Sequence, residues 1–432
     1  MKKELTVISF LTGISWIPAY AKMWFIANIF GISEDLDAYN LCLILPTLIT
    51  GIFSGFLQTG LFPIRAELKA KGDAEEVASF ERTILVGVAA FSSLLSLICL
   101  INSHKIALMI APEATITFLQ KLEPLVSIGS ALIAINMIDI CISYLLAMRN
   151  YYWAYVSSTI PNAIIGVLFL LIWPEGGINT LIFGTITGQL LQTIICAYFL
   201  NRSDLKIIGK LPNWHTIKLH WRRTLSLSFW ILPGVVFSNF IVSLPPYWMA
   251  QFGEGALSAF GYAYRFHSTT VQLLITAGST IILKHFSELE SQNKHQEINR
   301  IISKAAKASV LAGSIAIIGV WSLGEPLLMF VFSGKFDSAA ATRVSSHWLW
   351  LTLGIPFTII SNVFAKHWQS QKKPKVLSMM AFISLLTLSI TYMITQKYLG
   401  ELSCAAAITA SGLSVVLAGI IYNNTNKKGI IA

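Results

Sequence analysis

In a chain of 432 residues, hydrophobic side chains make up 55%, charged ones only 12%, and the mean hydropathy is +0.66. Those values exclude an ordinary water-soluble domain and describe a polytopic membrane protein. The formal net charge is +10, and the placement of the basic residues explains it without a nucleic-acid partner.

The first apolar stretch follows Lys2 and Lys3, as a signal peptide would. It runs on to about Gly31 with Trp16, Lys22 and Trp24 inside and has no small-residue cleavage site. It reads as the first spanning helix, at about 5–31. Further runs of spanning length, roughly 17 to 25 residues, fall at about 38–63, 83–102, 123–147, 153–173, 178–200, 224–250, 256–283, 306–322, 346–366, 375–396 and 401–422. The pattern predicts an all-α protein of about twelve transmembrane helices, with both termini on one side. Several spans carry proline (Pro18, Pro46, Pro124, Pro161, Pro233, Pro245, Pro246, Pro356), which supplies kinks where neighbours satisfy the freed backbone groups. Trp173, Trp248, Trp321 and Trp368 near span ends suit an interfacial belt.

Short loops retain Lys and Arg on the cytoplasmic side. Of the 31 such residues, 24 fall on the amino-terminal side, among them Arg65, Arg149, Lys206, Lys210, Lys284 and Lys373. Five fall opposite: Lys105, Lys121, Lys335, Arg343 and Lys397. The bias predicts cytoplasmic termini. Two cations remain, Lys22 and Arg265, and both lie inside spans.

The halves read as a repeat. Asp37-Ala-Tyr matches Ser258-Ala-Phe, and Glu67-Leu68 matches Glu288-Leu289, each pair 221 residues apart. Two pseudo-symmetric six-helix bundles are therefore expected over 1–200 and 224–423. A cytoplasmic linker over 201–223 joins them, a tail follows at 424–432, and a cavity is expected between two such repeats.

An intramembrane cation marks a site by default. Lys22 lies nine residues before Gly31, and Arg265 nine after Ala256, so both sit about 13 Å below the outer ends of their helices. Two converging cations suit an anion, and the guanidinium fork suits phosphate; otherwise Lys22 snorkels outward or either cation pairs with an acid. Asp139 is the acid well inside a span and is either an ion-pair partner or a coupling group for H+ or Na+. Asp37 either caps span two or faces the outer mouth of the cavity. His267 either packs or relays protons. The five cysteines are scattered, without CxxC or metal-ligand spacing, so no metal and no cofactor is expected. No phosphate loop or nucleophile elbow occurs, which disfavours an enzyme.

The run Ala21-Lys-Met-Trp-Phe-Ile-Ala-Asn-Ile-Phe-Gly31, then Asp37-Ala-Tyr, Leu45-Pro46 and Phe53-Ser-Gly-Phe-Leu-Gln-Thr-Gly-Leu-Phe-Pro63, resembles the first two helices of the MurJ (MviN) lipid II flippases. Ala256-Leu-Ser-Ala-Phe-Gly-Tyr-Ala-Tyr-Arg265 with Ser279-Thr-Ile-Ile-Leu resembles that family's eighth helix, and Pro326-Leu-Leu-Met-Phe-Val-Phe-Ser-Gly-Lys-Phe is similar to segments of the wider MOP superfamily. The resemblance implies that Lys22 and Arg265 meet a lipid-linked diphosphate and that Asp37 is a cavity-mouth acid. The chain departs from the family at Trp16 and Thr50, where arginines are usual, and in having twelve spans where fourteen are usual. The expectation is an inner-membrane flippase, not an enzyme, that moves a polyprenyl-diphosphate-linked saccharide outward by alternating access. The cargo is a polysaccharide repeat unit, as in the Wzx-type branch, or a lipid II-like precursor. The membrane potential can drive an anionic headgroup outward. Membrane lipids are partners, as are glycosyltransferases or a polymerase of the same pathway. A cation-coupled multidrug antiporter of the same superfamily is the alternative of a different class.

Overall fold

With no water in hydrocarbon to satisfy backbone groups, each crossing segment must close its own hydrogen bonds, and this chain does so with helices. The computed structural model describes the backbone of residues 2–71, 74–203, 214–229, 231–292 and 294–431, and no strand occurs among them. Side chains are described for the same residues except 2–9, 214–215, 227, 276–281, 284 and 424–431. Lys206 and Lys210 of the expected linker, and the side chains of Lys284 and the 279–281 part of the resemblance, lie outside the described residues.

The helices are α1 (Lys2–Phe30), α2 (Glu34–Cys42), α3 (Ile44–Ala70), α4 (Ala74–Ile101), α5 (Ser103–Ile110), α6 (Ile116–Gly129), α7 (Ala131–Met148), α8 (Tyr152–Ile172) and α9 (Gly177–Arg202). They continue as α10 (Trp214–Phe229), α11 (Leu232–Met249), α12 (Ala256–Ser291), α13 (His295–Val331), α14 (Ser338–Thr352), α15 (Ile355–Ser370), α16 (Pro374–Leu399) and α17 (Leu402–Ile431). Among the described residues, eight segments are long and apolar enough to cross a membrane, or nine if the bent pair α14 and α15 counts as one span. The other three expected spans coincide with α1, α11 and α12, which fall outside that count. Prolines 46, 233 and 356, expected as kinks, instead stand in the first turns of α3, α11 and α15, where a missing N–H is harmless.

The chain divides into two units, Met1–Phe30 with Glu34–Leu232, and Gly31–Ser33 with Pro233–Ala432. The internal repeat persists in element order. Ala74 and His295, Tyr152 and Pro374, and Gly177 and Leu402 open corresponding helices, 221, 222 and 225 residues apart. The breaks between α6 and α7 and between α14 and α15 correspond as well. The first unit reaches past the expected boundary at 200, because α10 packs on α3 and α4. Thr224 and Ser228 lie against Gly60, where a Cβ would stand 2.6 Å from Thr224 Cγ2, and Ser228 Oγ donates to the Phe56 carbonyl at 2.9 Å. Lipid offers helices no hydrophobic gain on association, so small residues that permit close approach do that work.

The core of the first unit follows the helical period: Leu57, Leu61, Ile64 and Leu68 of α3, Phe80, Ile84 and Val88 of α4, and Ile133, Met137, Cys141 and Leu145 of α7. In the second unit Phe364, Trp368, Val376, Met380 and Val416 join α15, α16 and α17, while Phe286, Leu289, Ile298 and Val363 join α12, α13 and α15. Trp368 thus belongs to the core, 1% exposed, with Nε1 donating to Asn423 Oδ1, and not to an interfacial belt. All five cysteines are buried and free.

Ionic contacts tie the helix ends. Glu81 is fully buried; Arg65 Nε donates to its Oε1 at 2.5 Å and Arg149 Nη2 to its Oε2. Arg149 Nη1 also donates to the Ser203 carbonyl at 2.5 Å. In the second unit Arg343 grips Glu401 bidentately (2.8 and 2.5 Å), and His347 Nε2 lies 3.5 Å from Glu401 Oε2. Arg343 Nη1 further donates to the Glu254 carbonyl, just before Gly255 takes a left-handed φ of +76° and α12 begins. These three side chains line a cavity of about 450 Å³. Burial opposes ionisation of Glu401, but hydrogen bonds from His347 and Arg343 outweigh it and hold the carboxyl at about 2.

Removing one partner of a buried ionic group strands the rest, at about 3–5 kcal/mol. Glu81→Ala is accordingly expected to cut stability by that order in a detergent melt, whereas Glu67→Ala, at an exposed ion pair with Arg223 and Lys71, leaves the midpoint unchanged. The folded Glu401 lies below its ordinary 4.5, so its clasp contributes fully above that pH and is lost as pH falls towards 2. Glu401→Gln should therefore flatten the melting temperature across that window.

Candidate functional site

Lys22 occupies the second half of α1, which packs along α8. Its stem crosses Gly166 of α8, where a Cβ would stand 2.8 Å from Lys22 Cε and 3.0 Å from Nζ. The ammonium donates to Thr185 Oγ1 at 3.1 Å, and Tyr39 Oη shares that hydroxyl at 2.8 Å. Thr185 is eight residues into α9, about 12 Å along its axis. The head group of Lys22 is thus half-buried and held by a hydroxyl network. Sequence reasoning placed the lysine but missed Tyr39 and Thr185, which lie 146 residues apart.

Arg265 is the tenth residue of α12, and it is exposed. Among the described residues no carboxylate lies within ion-pair distance of its guanidinium. His267, two residues on, is 6% exposed, with its ring 6.2 Å from that of Tyr264 and its Nδ1 buried without a partner. The two side chains therefore do not share a face of α12, and His267 packs. Lys22 belongs to the first unit and Arg265 to the second.

Asp37 is 5% exposed and lies one turn inside α2, which begins at Glu34. It is not the N-cap. The outer acids of that turn, Glu34 and Asp35, instead receive Lys121 from α6 at 3.4 and 2.9 Å.

Asp139 stands at the middle of α7, 2% exposed. Its Oδ2 accepts from Gln192 Nε2 at 3.0 Å and Gln189 Nε2 at 3.2 Å, and both amide oxygens accept from Asn162 Nδ2 of α8 at 2.8 and 2.9 Å. It has no cationic partner within 4.0 Å among the described residues, which removes the ion-pair reading of this acid. Gln189 and Gln192, three apart on apolar α9, were the legible signal of this network. Among the described residues no group of His, Cys, Asp and Glu could hold a metal ion.

In chemical terms, the first unit offers an ammonium with hydroxyls beside it, and the second an exposed guanidinium; both are cationic hydrogen-bond donors. Gly166→Ala tests whether the Lys22 stem depends on the missing Cβ. The expected outcome is greater labelling of Lys22 by an amine-reactive reagent, read by mass spectrometry, with little change in melting temperature. Unchanged labelling would show that the stem has room to spare.

Residues 26–431 match the family described as "Lipid II flippase MurJ". The chain is 24% identical over 346 residues to the probable lipid II flippase MurJ of Buchnera aphidicola subsp. Acyrthosiphon pisum, covering 77% of this chain and 66% of that one, just under two thirds. It is 22% identical over 441 residues to the probable lipid II flippase MurJ of Rickettsia prowazekii, covering 98% and 83%. Among solved structures, a lipid II flippase MurJ in an inward closed conformation superposes with a TM-score of 0.84 at 21% identity, covering 97% of this chain and 87% of that one. An inward-facing MATE family multidrug resistance transporter of the MOP superfamily superposes at 0.79 with 10% identity, covering 98% of each. At such identities the structural likeness speaks for the fold. The family match, spanning nearly the whole chain, goes further: this integral membrane protein belongs to the MurJ lipid II flippase family.

Proposed function

We propose that the chain is a flippase, not an enzyme, that moves a polyprenyl-diphosphate-linked saccharide, lipid II or a lipid II-like precursor, across the bacterial inner membrane by alternating access. The observation that carries the reading is the family match over 26–431, supported by one cation in an expected span of each unit, Lys22 in α1 and Arg265 in α12. Lys22 and Arg265 neutralise the diphosphate. The ammonium acts as a point charge beside Thr185 and Tyr39, and the guanidinium acts as a planar fork. Both termini are cytoplasmic, in keeping with the basic bias of the short loops. An inside-negative potential is worth about 2.3 kcal/mol per charge per 100 mV and drives the anionic headgroup outward. Membrane lipids surround the protein, and the enzymes that build or polymerise the saccharide work at the two ends of the step.

A second cargo is favoured by two positions. Trp16 is half-buried in α1, and Thr50 is buried in α3 with its hydroxyl unpartnered. Neither carries the positive charge usual in the resembling family, which fits a polysaccharide repeat unit on the same carrier.

Complementation separates the cargoes. Expression in a strain depleted of its own lipid II flippase is expected to restore growth, while Arg265→Ala and Lys22→Ala at normal protein level fail by tenfold or more in colony count. Failure of the wild-type chain would assign it the repeat-unit cargo. Full rescue by both variants would remove the diphosphate role of these cations.

A further inference from the structure

Asp139 carries more than the transport reading uses. Its carboxyl is 2% exposed at the centre of a span, Oδ2 accepts two amide N–H groups, and Oδ1 is buried with no hydrogen-bond partner. A buried ionised carboxylate is costly unless a cation or full hydrogen bonding compensates it, and here half of the carboxyl lacks both. No acidic residue occurs in α15, α16 or α17 of the second unit, so the feature is built once and is not inherited from the repeat.

The surrounding groups decide which ligand fits. A hard metal cation takes a shell of oxygens, but the two glutamines present nitrogen donors to Asp139 and turn their oxygens to Asn162. The titratable neighbours are Tyr155 from α8 and Cys196 from α9. From α3 and α4, Arg65 and Glu81 are committed to each other. Tyr144 of α7 is bonded to Ser54 at 2.6 Å. From α6, Lys121 and Glu123 are engaged with Glu34, Asp35 and His104. None supplies a counter-charge to Asp139.

We propose that Asp139, in the cage of Gln189, Gln192 and Asn162, is a reversible proton-binding site of the first unit. Uptake of one proton at a carboxyl oxygen removes the buried charge. A half-turn of a glutamine side-chain amide exchanges the places of its oxygen and nitrogen, so Oε1 of one glutamine can then accept from the carboxyl O–H, giving up the bond it accepts from Asn162. The use of that proton in coupling rests on the flippase reading; the site itself does not.

The test is infrared difference spectroscopy on the purified full-length protein during a pH titration. The wild-type protein is expected to show a protonated-carboxyl stretching band, sensitive to deuterium exchange, that Asp139→Asn lacks. Gln192→Leu keeps the carboxyl but removes a donor to its ionised form, and should move the midpoint towards alkaline pH by about one unit, the worth of one charge-assisted bond. Identical titrations of wild type and Asp139→Asn would overturn the proposal, as would a midpoint set by sodium concentration. If Asp139→Asn does not fold, an unmoved midpoint in Gln192→Leu overturns it. Absence of flipping by the wild-type protein would count against the flippase reading and leave the infrared result standing.

Discussion

The cost of carrying charge through hydrocarbon bears on each charged side chain that the apolar helices of this protein carry. Arg65 and Arg149 approach the core only because Glu81, fully buried, receives both. Lys22 enters a span with its stem laid over Gly166 and its head on Thr185. Asp139 stands among amides. Arg265 is exposed on its helix. The same constraint explains why small residues recur at close approaches: with no hydrophobic gain between helices in lipid, packing and a few polar contacts must hold the units together.

These polar contacts differ in what they can do. The Arg65, Glu81 and Arg149 set is closed, with the carboxylate shared between two guanidinium groups, and its role is to fix the ends of α3, α4 and α7. The Arg343, Glu401 and His347 set does the same between α14 and the start of α17. Lys22 and Arg265 differ from these sets: Lys22 donates to a hydroxyl, Thr185 Oγ1, and Arg265 is exposed. A fold shared with multidrug transporters does not choose a substrate; the proposed diphosphate cargo rests on the chemistry of these two cations.

Much of this was legible in the sequence, because hydropathy and charge bias are local signals. The helices, the repeat offset and the two odd cations followed from counting. Partnerships were not legible, since they join residues far apart in the chain: Lys22 meets Thr185 across 163 positions, and Arg149 meets Glu81 across 68. Arg65 and Arg149 were counted as loop cations, and no periodicity marks that they turn inward. Trp368 shows the reverse error, a residue near a span end whose ring is needed in the core. The capping alternative for Asp37 fails because α2 begins at Glu34, three residues earlier. Gln189 and Gln192 were visible as a polar pair three apart on an apolar helix, but their meaning depends on Asp139 lying opposite.

The most direct measurement of the central claim is the binding of polyprenyl diphosphate and polyprenyl monophosphate to the purified chain, compared by native mass spectrometry. The wild-type protein should prefer the diphosphate, and the double variant Lys22→Gln, Arg265→Gln should lose that preference while retaining binding through the lipid tail. A preference that survives both substitutions would contradict the assignment of these two cations to the diphosphate.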